Sequence, residues 1–248
     1  MTNSRLIFIR LPPICSIPEL SSKKGPTDFQ WVLVREGKSI NCIEKIDNFQ
    51  NVGVPIFRCR VKSLRGKADS HKFADLMTNF KNRVLWDPQI DAVDELHPVS
   101  NLNDVNEVLK KAGGRFGVCT RFGIGYCRSK ANLAVSAREQ LSLCSIHEFG
   151  DGKAIIWGTE MEDWHDHLFP PGERQVRAKS HLFTATIVQT GPMTFDVEYI
   201  LQLEVGGMIP TWITTPITID TLERLFCHAR TCFDTDQVTN IDGNSNSA

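Results

Sequence analysis

The sequence predicts an α+β fold in which an antiparallel sheet packs against one helix near the carboxyl end. Strand patterns follow one another from residue 116 to residue 205, with only short turn-rich pieces such as residues 150–152 between them. A helical pattern at residues 215–233 comes after the last strand. Antiparallel neighbours need only short connections, so strands in series followed by a helix favour α+β over a parallel sheet.

The predicted last strand, residues 194–205, has apolar residues at every second position, with polar residues such as Asp196 and Glu198 between them. This alternation predicts one apolar face and one largely wet face. Gly206 and Gly207 end the strand because glycine supplies backbone freedom without a side chain to pack. The apolar face consists of Phe195, Val197, Tyr199, Leu201, Leu203 and Val205.

A helix is predicted directly after this strand. Thr215 can cap its first amide groups, and Pro216 suits its first position. A strand and a helix that each have one apolar side should pack those sides together or enclose something between them. The apolar residues of the helix recur at helical spacing, and they are Ile219, Leu222, Leu225, Phe226, Ala229 and Phe233.

The earlier part of the chain adds shorter elements. Residues 1–26 are rich in proline, serine and lysine, a composition that resists regular structure and predicts a loosely held arm. Strands are predicted at residues 31–34, 39–46 and 56–63. The last of these is the clearest, because its apolar residues alternate with basic ones.

Two short helices are predicted between the first strands and the later ones. The first begins with Asp69 or Ser70 as its cap and runs to Phe80, and the second covers residues 101–112. Pro88 discourages helix beyond the first of them. A solvated loop is predicted for the acidic residues that follow, which are Asp91, Asp94 and Glu95.

Four more strands are predicted before the last strand, and a tail is predicted after the C-terminal helix. The first strand alternates so that Tyr126 shares an apolar face with Phe122 and Ile124. The tail, residues 234–248, is rich in Asp, Asn and Ser and is predicted to be disordered. One domain then remains, at residues 27–233. The four strands are predicted at residues 116–126, 139–149, 153–159 and 177–189.

The composition excludes several classes of protein. With 41% apolar and 23% charged residues, the chain has the balance of a globular protein and not of a disordered or collagen-like one. Its formal charge of -1 gives no bulk electrostatic reason to expect nucleic acid as a partner. The eight cysteines include no CxxC pair, which favours reduced thiols in a cytoplasmic protein. The apolar run at residues 6–9 is too short for a signal peptide or a membrane span.

No catalytic or metal-binding constellation is evident in the sequence. His165 and His167 lie among acidic residues, but no further ligands with zinc-site spacing accompany them, which favours a polar turn. Cys144 and His147 are three positions apart in a strand, so their side chains face opposite ways. The sequence also lacks a nucleophile elbow and a phosphate-binding loop. Apolar faces without such a constellation favour binding over catalysis, with no metal and no cofactor.

Four motifs, in order along the chain, resemble those of START lipid-transfer domains. They are WDP at residues 86–88, SARE at 136–139, PGERQVR at 171–177 and GGMIPTWI at 206–213. The resemblance covers residues 28–233 and is strongest to the members that carry phosphatidylcholine. It implies a helix-grip fold, in which a curved antiparallel sheet wraps around a long C-terminal helix and encloses a lipid tunnel.

The resemblance also implies a lipid site. In the phosphatidylcholine carriers an arginine four residues before the aspartate of the Trp-Asp motif holds the lipid phosphate, and Arg83 has this position before Asp87. A guanidinium plane can bind two phosphate oxygens, although an Arg83–Asp87 pair without a ligand role is an equal alternative. Cys127 and Ala131 stand where larger rings would help to cage a choline group, which leaves Tyr126 as the expected ring. The expected lipid-binding residues are Arg83, Trp86, Asp87, Tyr126, Arg138, Tyr199, Met208, Trp212, Leu222 and Phe226.

The expected function is a monomeric carrier that moves one phospholipid between membranes, in the cytoplasm and with transient membrane contact. The terminal helix and the loop at residues 129–135 are expected to form its lid. The membrane-contacting residues are expected to be Lys130, Leu133, Val135 and Ile209, although Leu133 and Val135 have the alternative of packing beneath their loop. Three other functions stay open: a lipid sensor that retains its ligand, a sterol carrier, and an enzyme with the same fold.

Overall fold

The computed structural model describes residues 30–66, 69–78, 80, 82–113, 115–131, 135–161, 169–170, 172 and 175–234. The expected N-terminal arm, the tail beyond residue 234 and the pair His165 and His167 lie outside these residues. The strands are β1 Val32–Arg35, β2 Cys42–Ile46, β3 Ile56–Arg65, β4 Ile90–Glu95, β5 Val118–Ser129, β6 Arg138–Phe149, β7 Lys153–Glu160, β8 Val176–Gly191 and β9 Thr194–Glu204. The helices are α1 Ser70–Met77, α2 Asn103–Lys111 and α3 Thr211–Asp234.

The nine strands form one sheet in the order β1-β2-β3-β9-β8-β7-β6-β5-β4, in which every neighbouring pair is antiparallel. The start of β8 extends beyond the end of β7 and pairs in parallel with β6, where Arg138 lies opposite Val176. These elements belong to a compact unit that begins at Trp31. The predicted α+β fold and its helix-grip arrangement are confirmed.

Helix α3 packs its apolar stripe against the inner face of the sheet. The six stripe residues predicted from the sequence are all buried. At the C-terminal half of α3, Phe233 contacts Phe73 of α1, which in turn stacks on Phe195 of β9 with ring centroids 4.7 Å apart. Arg230 donates to the carbonyl oxygens of Ser39 and Lys62 at 2.7 and 2.6 Å. The second half of the helix is therefore held against the sheet by a solid core and by polar contacts.

The start of α3 differs from the prediction. The helix begins at Thr211, so Thr215 is not its cap and Pro216 lies inside it. The carbonyl of Pro210 accepts the first helical hydrogen bonds, from Ile213 and Thr214. Pro216 has no N–H to donate to the carbonyl of residue 212, but both Trp212 and Pro216 are exposed, so water can satisfy that carbonyl.

The outer face of β9 is less wet than predicted. Ile200 on this face packs in a small apolar cluster with Ile46 and Ile56. Gln202 is also buried there, and its amide donates to the carbonyl oxygens of Phe49 and Val54 at 3.2 Å. The chain between β2 and β3 covers this end of the strand. The polar side chain of Gln202 therefore makes its hydrogen bonds to backbone carbonyls rather than to water.

The loop predicted after Pro88 is in fact strand β4, which forms one edge of the sheet. Asp91 and Asp94 are exposed along it, and Asp91 accepts a hydrogen bond from Arg128 of β5 at 2.8 Å. An edge strand with exposed acidic residues between two prolines has the composition of a loop, which explains the wrong prediction.

Candidate functional site

A cavity of about 870 Å³ lies between the first half of α3 and the inner face of the sheet. This size is near the upper end of the range of about 300–1,000 Å³ for small-molecule sites. Its wall comes from the segment before β4, the facing ends of β5, β6, β8 and β9, the loop after β5, and α3. The lining residues on the strands and the loop include Cys127, Ser129, Ala131, Val135, Gln140, Ala178, Ser180, Phe183, Leu201, Leu203 and Val205.

The cavity wall has an apolar patch and a polar wall. The apolar patch combines Leu201 and Leu203 of β9 with Ile217, Leu222 and Leu225 of α3, a helix that also contributes polar lining residues: Thr214, Thr218, Asp220, Thr221 and Arg224. The polar wall is formed by β5 and β6 with the segment before β4, and it carries Arg83, Asp87, Ser129, Arg138 and Gln140. An amphiphile can therefore place its apolar part and its polar part against matching surfaces.

Arg83 and Asp87 form a buried ion pair at the polar wall. Both residues belong to the turn that precedes β4, and Nε of Arg83 donates to Oδ2 of Asp87 at 2.9 Å. The second oxygen of Asp87 accepts the backbone N–H of Gln89 at 3.0 Å. Arg83 also hydrogen-bonds the Tyr199 side chain from β9. The Arg83–Asp87 pair is therefore observed, and Arg83 also lines the cavity.

Burial and charge act in opposite directions on Arg83. Desolvation on its own would lower the pKa of the guanidinium, but the attraction of Tyr199 and Asp87 raises this pKa by more. Burial raises the pKa of the Tyr199 phenol, so this phenol is neutral at physiological pH. Burial also raises the pKa of the Cys127 thiol to about 12, which leaves it protonated and a poor nucleophile.

The segment before β4 joins the loop after β5 to α3. The backbone N–H of Lys130 donates to the carbonyl of Gln89 at 2.8 Å, and Nζ of Lys130 donates to the carbonyl of Pro88 at 2.7 Å. The amide of Gln89 donates to the carbonyl of Thr221 in α3 at 3.1 Å. Gln89 thus contacts both parts of the expected lid.

The structure brings seven of the expected site residues to the cavity: Arg83, Asp87, Lys130, Val135, Arg138, Tyr199 and Leu222. Val135 is buried in the wall, as in the alternative that places it beneath its loop. Trp86 and Phe226 lie instead in the solid core, where Trp86 contacts Phe233 and Phe226 contacts Tyr199. Leu133 lies outside the described residues.

Four other expected residues do not line this cavity. Tyr126 alternates with Cys127, which does line it, so Tyr126 points to the opposite face and donates to Glu139 at 3.0 Å. Met208 is fully exposed, and 75% of Trp212 is exposed. Ile209, between them, is half-buried and also outside the cavity wall. None of Tyr126, Met208 and Trp212 therefore lines this cavity.

Several lining residues were missed by the sequence prediction. Gln89, Gln140, Ser180 and Thr218 carry no motif of their own and are recognised only when the sheet and helix are assembled. Strand alternation was the usable signal for one of them, because Gln140 follows Arg138 by two positions and must share its face.

Metal binding and membrane spanning find no support in the described part of the chain. No three His, Cys, Asp or Glu side chains gather there in a way that would hold a metal ion. None of the helices there is long and apolar enough to cross a bilayer.

Comparison with known proteins identifies the fold. No protein-family model and no curated protein sequence matches the chain. Human StAR-related lipid transfer protein 5 is 13% identical, with a TM-score of 0.68 over 85% of this chain and 89% of that one. Human STARD10 is 15% identical, with a TM-score of 0.63 over 88% of this chain and 79% of that one. A fragment of a STAR-related lipid transfer protein from Xanthomonas axonopodis is 19% identical, with a TM-score of 0.59 over 83% of this chain and 99% of that fragment. The chain therefore has the helix-grip fold that these lipid transfer proteins share.

Proposed function

We propose that this chain is a START-type carrier that binds one phospholipid in the cavity and moves it between membranes. The observation that carries the proposal is the cavity itself, with an apolar patch for acyl chains and a polar wall for a headgroup. Shielding an acyl chain from water is worth about 0.8 kcal/mol for each methylene group. Membrane and cavity offer similar apolar surroundings, so the lipid can exchange in both directions once the lid opens.

Arg83 is proposed to bind the phosphate of the lipid. Its guanidinium is fixed by Asp87 and Tyr199 at the polar wall, which orients it before a ligand arrives. Phosphatidylcholine, which the sequence resemblance implies, is the reference ligand for this role.

The lid is proposed to be the first half of α3 together with the loop after β5. Met208, Ile209 and Trp212 precede or begin this helix, and their exposed apolar surface suits the interface of a bilayer. Lys130 is exposed on the loop, where an ammonium group can meet lipid phosphates. Contact with a membrane is proposed to loosen the link that Gln89 makes between these two parts.

Filling the cavity provides the direct test. Ala178 lines the cavity from β8, so Ala178→Phe should occupy space that the lipid needs. The control, Val188→Phe, adds a ring on the same strand at an exposed position. Both proteins are mixed with donor vesicles of fluorescent phosphatidylcholine and with acceptor vesicles, and transfer is followed by dequenching. Ala178→Phe should lose most of the transfer rate, while Val188→Phe should keep it. Equal transfer by the two folded variants would refute carriage in this cavity.

The same assay separates the alternative functions. A lipid sensor would retain one lipid through purification and show negligible vesicle-to-vesicle transfer. A sterol carrier would move labelled sterol in preference to phospholipid. An enzyme would convert a bound apolar substrate, and the protonated Cys127 thiol at the cavity wall does not favour this alternative.

A further inference from the structure

The cavity wall carries more positive than negative charge. Among the described residues that line it, four are cationic and two are acidic. Both acidic residues are already engaged, because Asp87 accepts from Arg83 at 2.9 Å and Asp220 accepts from Arg35 at 2.6 Å. The cationic residues with no carboxylate partner in the described part of the chain are Lys130, Arg138 and Arg224.

Arg138 is the buried member of this set, with 9% of its surface exposed. Its Nε donates to the carbonyl of Val205 at 2.7 Å, and its Nη1 donates to the carbonyl and the hydroxyl of Ser136 at 2.8 and 2.6 Å. Its Nη2 makes no hydrogen bond to any residue that the structure describes, and it lies beside Gly207. Burial lowers the pKa of Arg138. A buried guanidinium balanced only by carbonyl and hydroxyl dipoles favours an anion as its additional partner.

Arg138 lies on the polar wall of the cavity, at the end of β9. Gln140 is paired across the sheet with Cys127, whose thiol pKa is affected by the charge of Arg83. Arg138 is two residues from Gln140, which places it about 7 Å farther along β6. Arg138 thus lies beyond Gln140 as seen from Arg83, and it defines a headgroup position beside Val205.

A cationic headgroup is disfavoured in this position. A quaternary ammonium group binds well inside a cage of aromatic faces. Among the described residues only Phe183 and Tyr199 bring rings to the cavity wall, and Tyr199 is already bonded to the positive Arg83. A choline group would thus lie near like charges without a cage.

We infer that the cavity selects amphiphiles of net negative charge, such as acidic phospholipids, because the guanidinium of Arg138 repels a cationic headgroup and its Nη2 donates to the oxygens of one that is not cationic. This inference rests on the proposed carrier function and changes its preferred headgroup from choline to an acidic one. Phosphatidylglycerol and phosphatidylcholine carry the same phosphodiester anion, so the preference resides in the contact between Arg138 and the rest of the headgroup, which is repulsive for choline.

Competition between two lipids tests the inference. The purified chain is incubated with vesicles of equal parts phosphatidylcholine and phosphatidylglycerol, the vesicles are removed, and the bound lipid is identified by mass spectrometry. The wild-type protein should enrich phosphatidylglycerol about tenfold, which corresponds to about 1.4 kcal/mol of like-charge repulsion between Arg138 and choline. Arg138→Gln should bring the ratio close to one.

The matched control is Arg128→Gln. Arg128 lies on the neighbouring strand, points away from the cavity and pairs with Asp91, so its loss removes the same charge from the protein without touching the wall. The control should keep the wild-type ratio. Equal extraction of both lipids by the wild-type protein would overturn the inference and leave the carrier function intact. Extraction of neither lipid would overturn both.

Two further measurements keep the test decisive. If Arg138→Gln does not fold, the wild-type ratio is measured at high salt, where attraction at the protein surface is screened and a buried contact is not. A preference that disappears at high salt would overturn the assignment to Arg138. Inorganic phosphate is also added in place of vesicles. A rise in Tm with phosphate that equals the rise with phosphatidylglycerol would assign the position to a free anion and overturn the lipid assignment.

Discussion

At the level of single residues, Arg83 has two roles that an alanine substitution cannot separate. Its pairing with Asp87 is structural, while its place on the cavity wall is the basis of the proposed phosphate site. Removing Arg83 leaves the carboxylate of Asp87 buried without its guanidinium partner. Breaking one half of a buried ion pair costs about 3–5 kcal/mol, whereas replacing both halves by apolar side chains is often neutral.

A double substitution is predicted to separate these roles. Arg83→Ala should lower the free energy of unfolding by about 3 kcal/mol and abolish phospholipid extraction. Arg83→Met combined with Asp87→Leu should recover most of that stability, because no unpaired charge remains, yet extraction should stay lost. Urea unfolding followed by circular dichroism gives the stability, and vesicle extraction gives the binding. A double variant that extracts phospholipid as well as the wild-type protein would exclude Arg83 from the site.

At the level of secondary-structure elements, the turn between β9 and α3 depends on Gly206. Its φ is 73°, in the left-handed region, and an added Cβ would lie 2.5 Å from the carbonyl oxygen of Arg177. Gly206→Ala should therefore destabilise the fold by about 2–4 kcal/mol, of which roughly half is conformational and half is steric.

Gly53→Ala is the control, because Gly53 has a φ of 83° but an added Cβ there would have no atom within 4 Å. It should cost only about 1–2 kcal/mol. Similar losses for both variants in thermal unfolding would show that the contact with Arg177 is unimportant.

The sequence predicted the elements whose patterns reflect burial. The alternation of β9 and the stripe of α3 were both confirmed, because the residues of each pattern face one core. The predicted start of α3 was wrong because the placement of proline at the first helical position is only a statistical preference. Pro216 lies inside the first turns, where an exposed proline is tolerated because water can reach the carbonyl that loses its hydrogen bond.

The site was predicted less completely than the fold. Tyr126 was expected at the lipid because the family resemblance places an aromatic cage on its strand, but its neighbour Cys127 is the residue that faces the cavity. The motif around Asp87 led to Arg83, which lies on the cavity wall. Arg138 and Arg83 come to the wall of one cavity only after the sheet is assembled, so this relationship is invisible in the sequence.

At the level of the whole molecule, the interior is divided between a solid core and a cavity. Large rings fill one part, where Trp86, Phe73 and Phe233 pack together. Small residues line the other part, including Ala178 and Ser180 of β8. The second half of α3 rests on the solid core, and the first half covers the cavity. This division predicts that the two halves of one helix differ in mobility, since local opening follows from sparse apolar contact.

Cross-links at the two halves of α3 are predicted to act differently on lipid transfer. Gln89 and Thr221 are neighbours across the lid, and Ser39 and Arg230 are neighbours at the core. Each pair is replaced by cysteines, in a background with Cys227→Ser, and joined with a short reducible cross-linker. The Gln89–Thr221 link should stop phospholipid transfer while a preloaded lipid stays bound, because the lid must separate before the ligand can leave. Reduction should restore transfer.

The Ser39–Arg230 link should leave transfer unchanged, since that half of the helix is already fixed. Undiminished transfer with the first link in place would refute the lid, and equal inhibition by both links would show that the helix moves as one body.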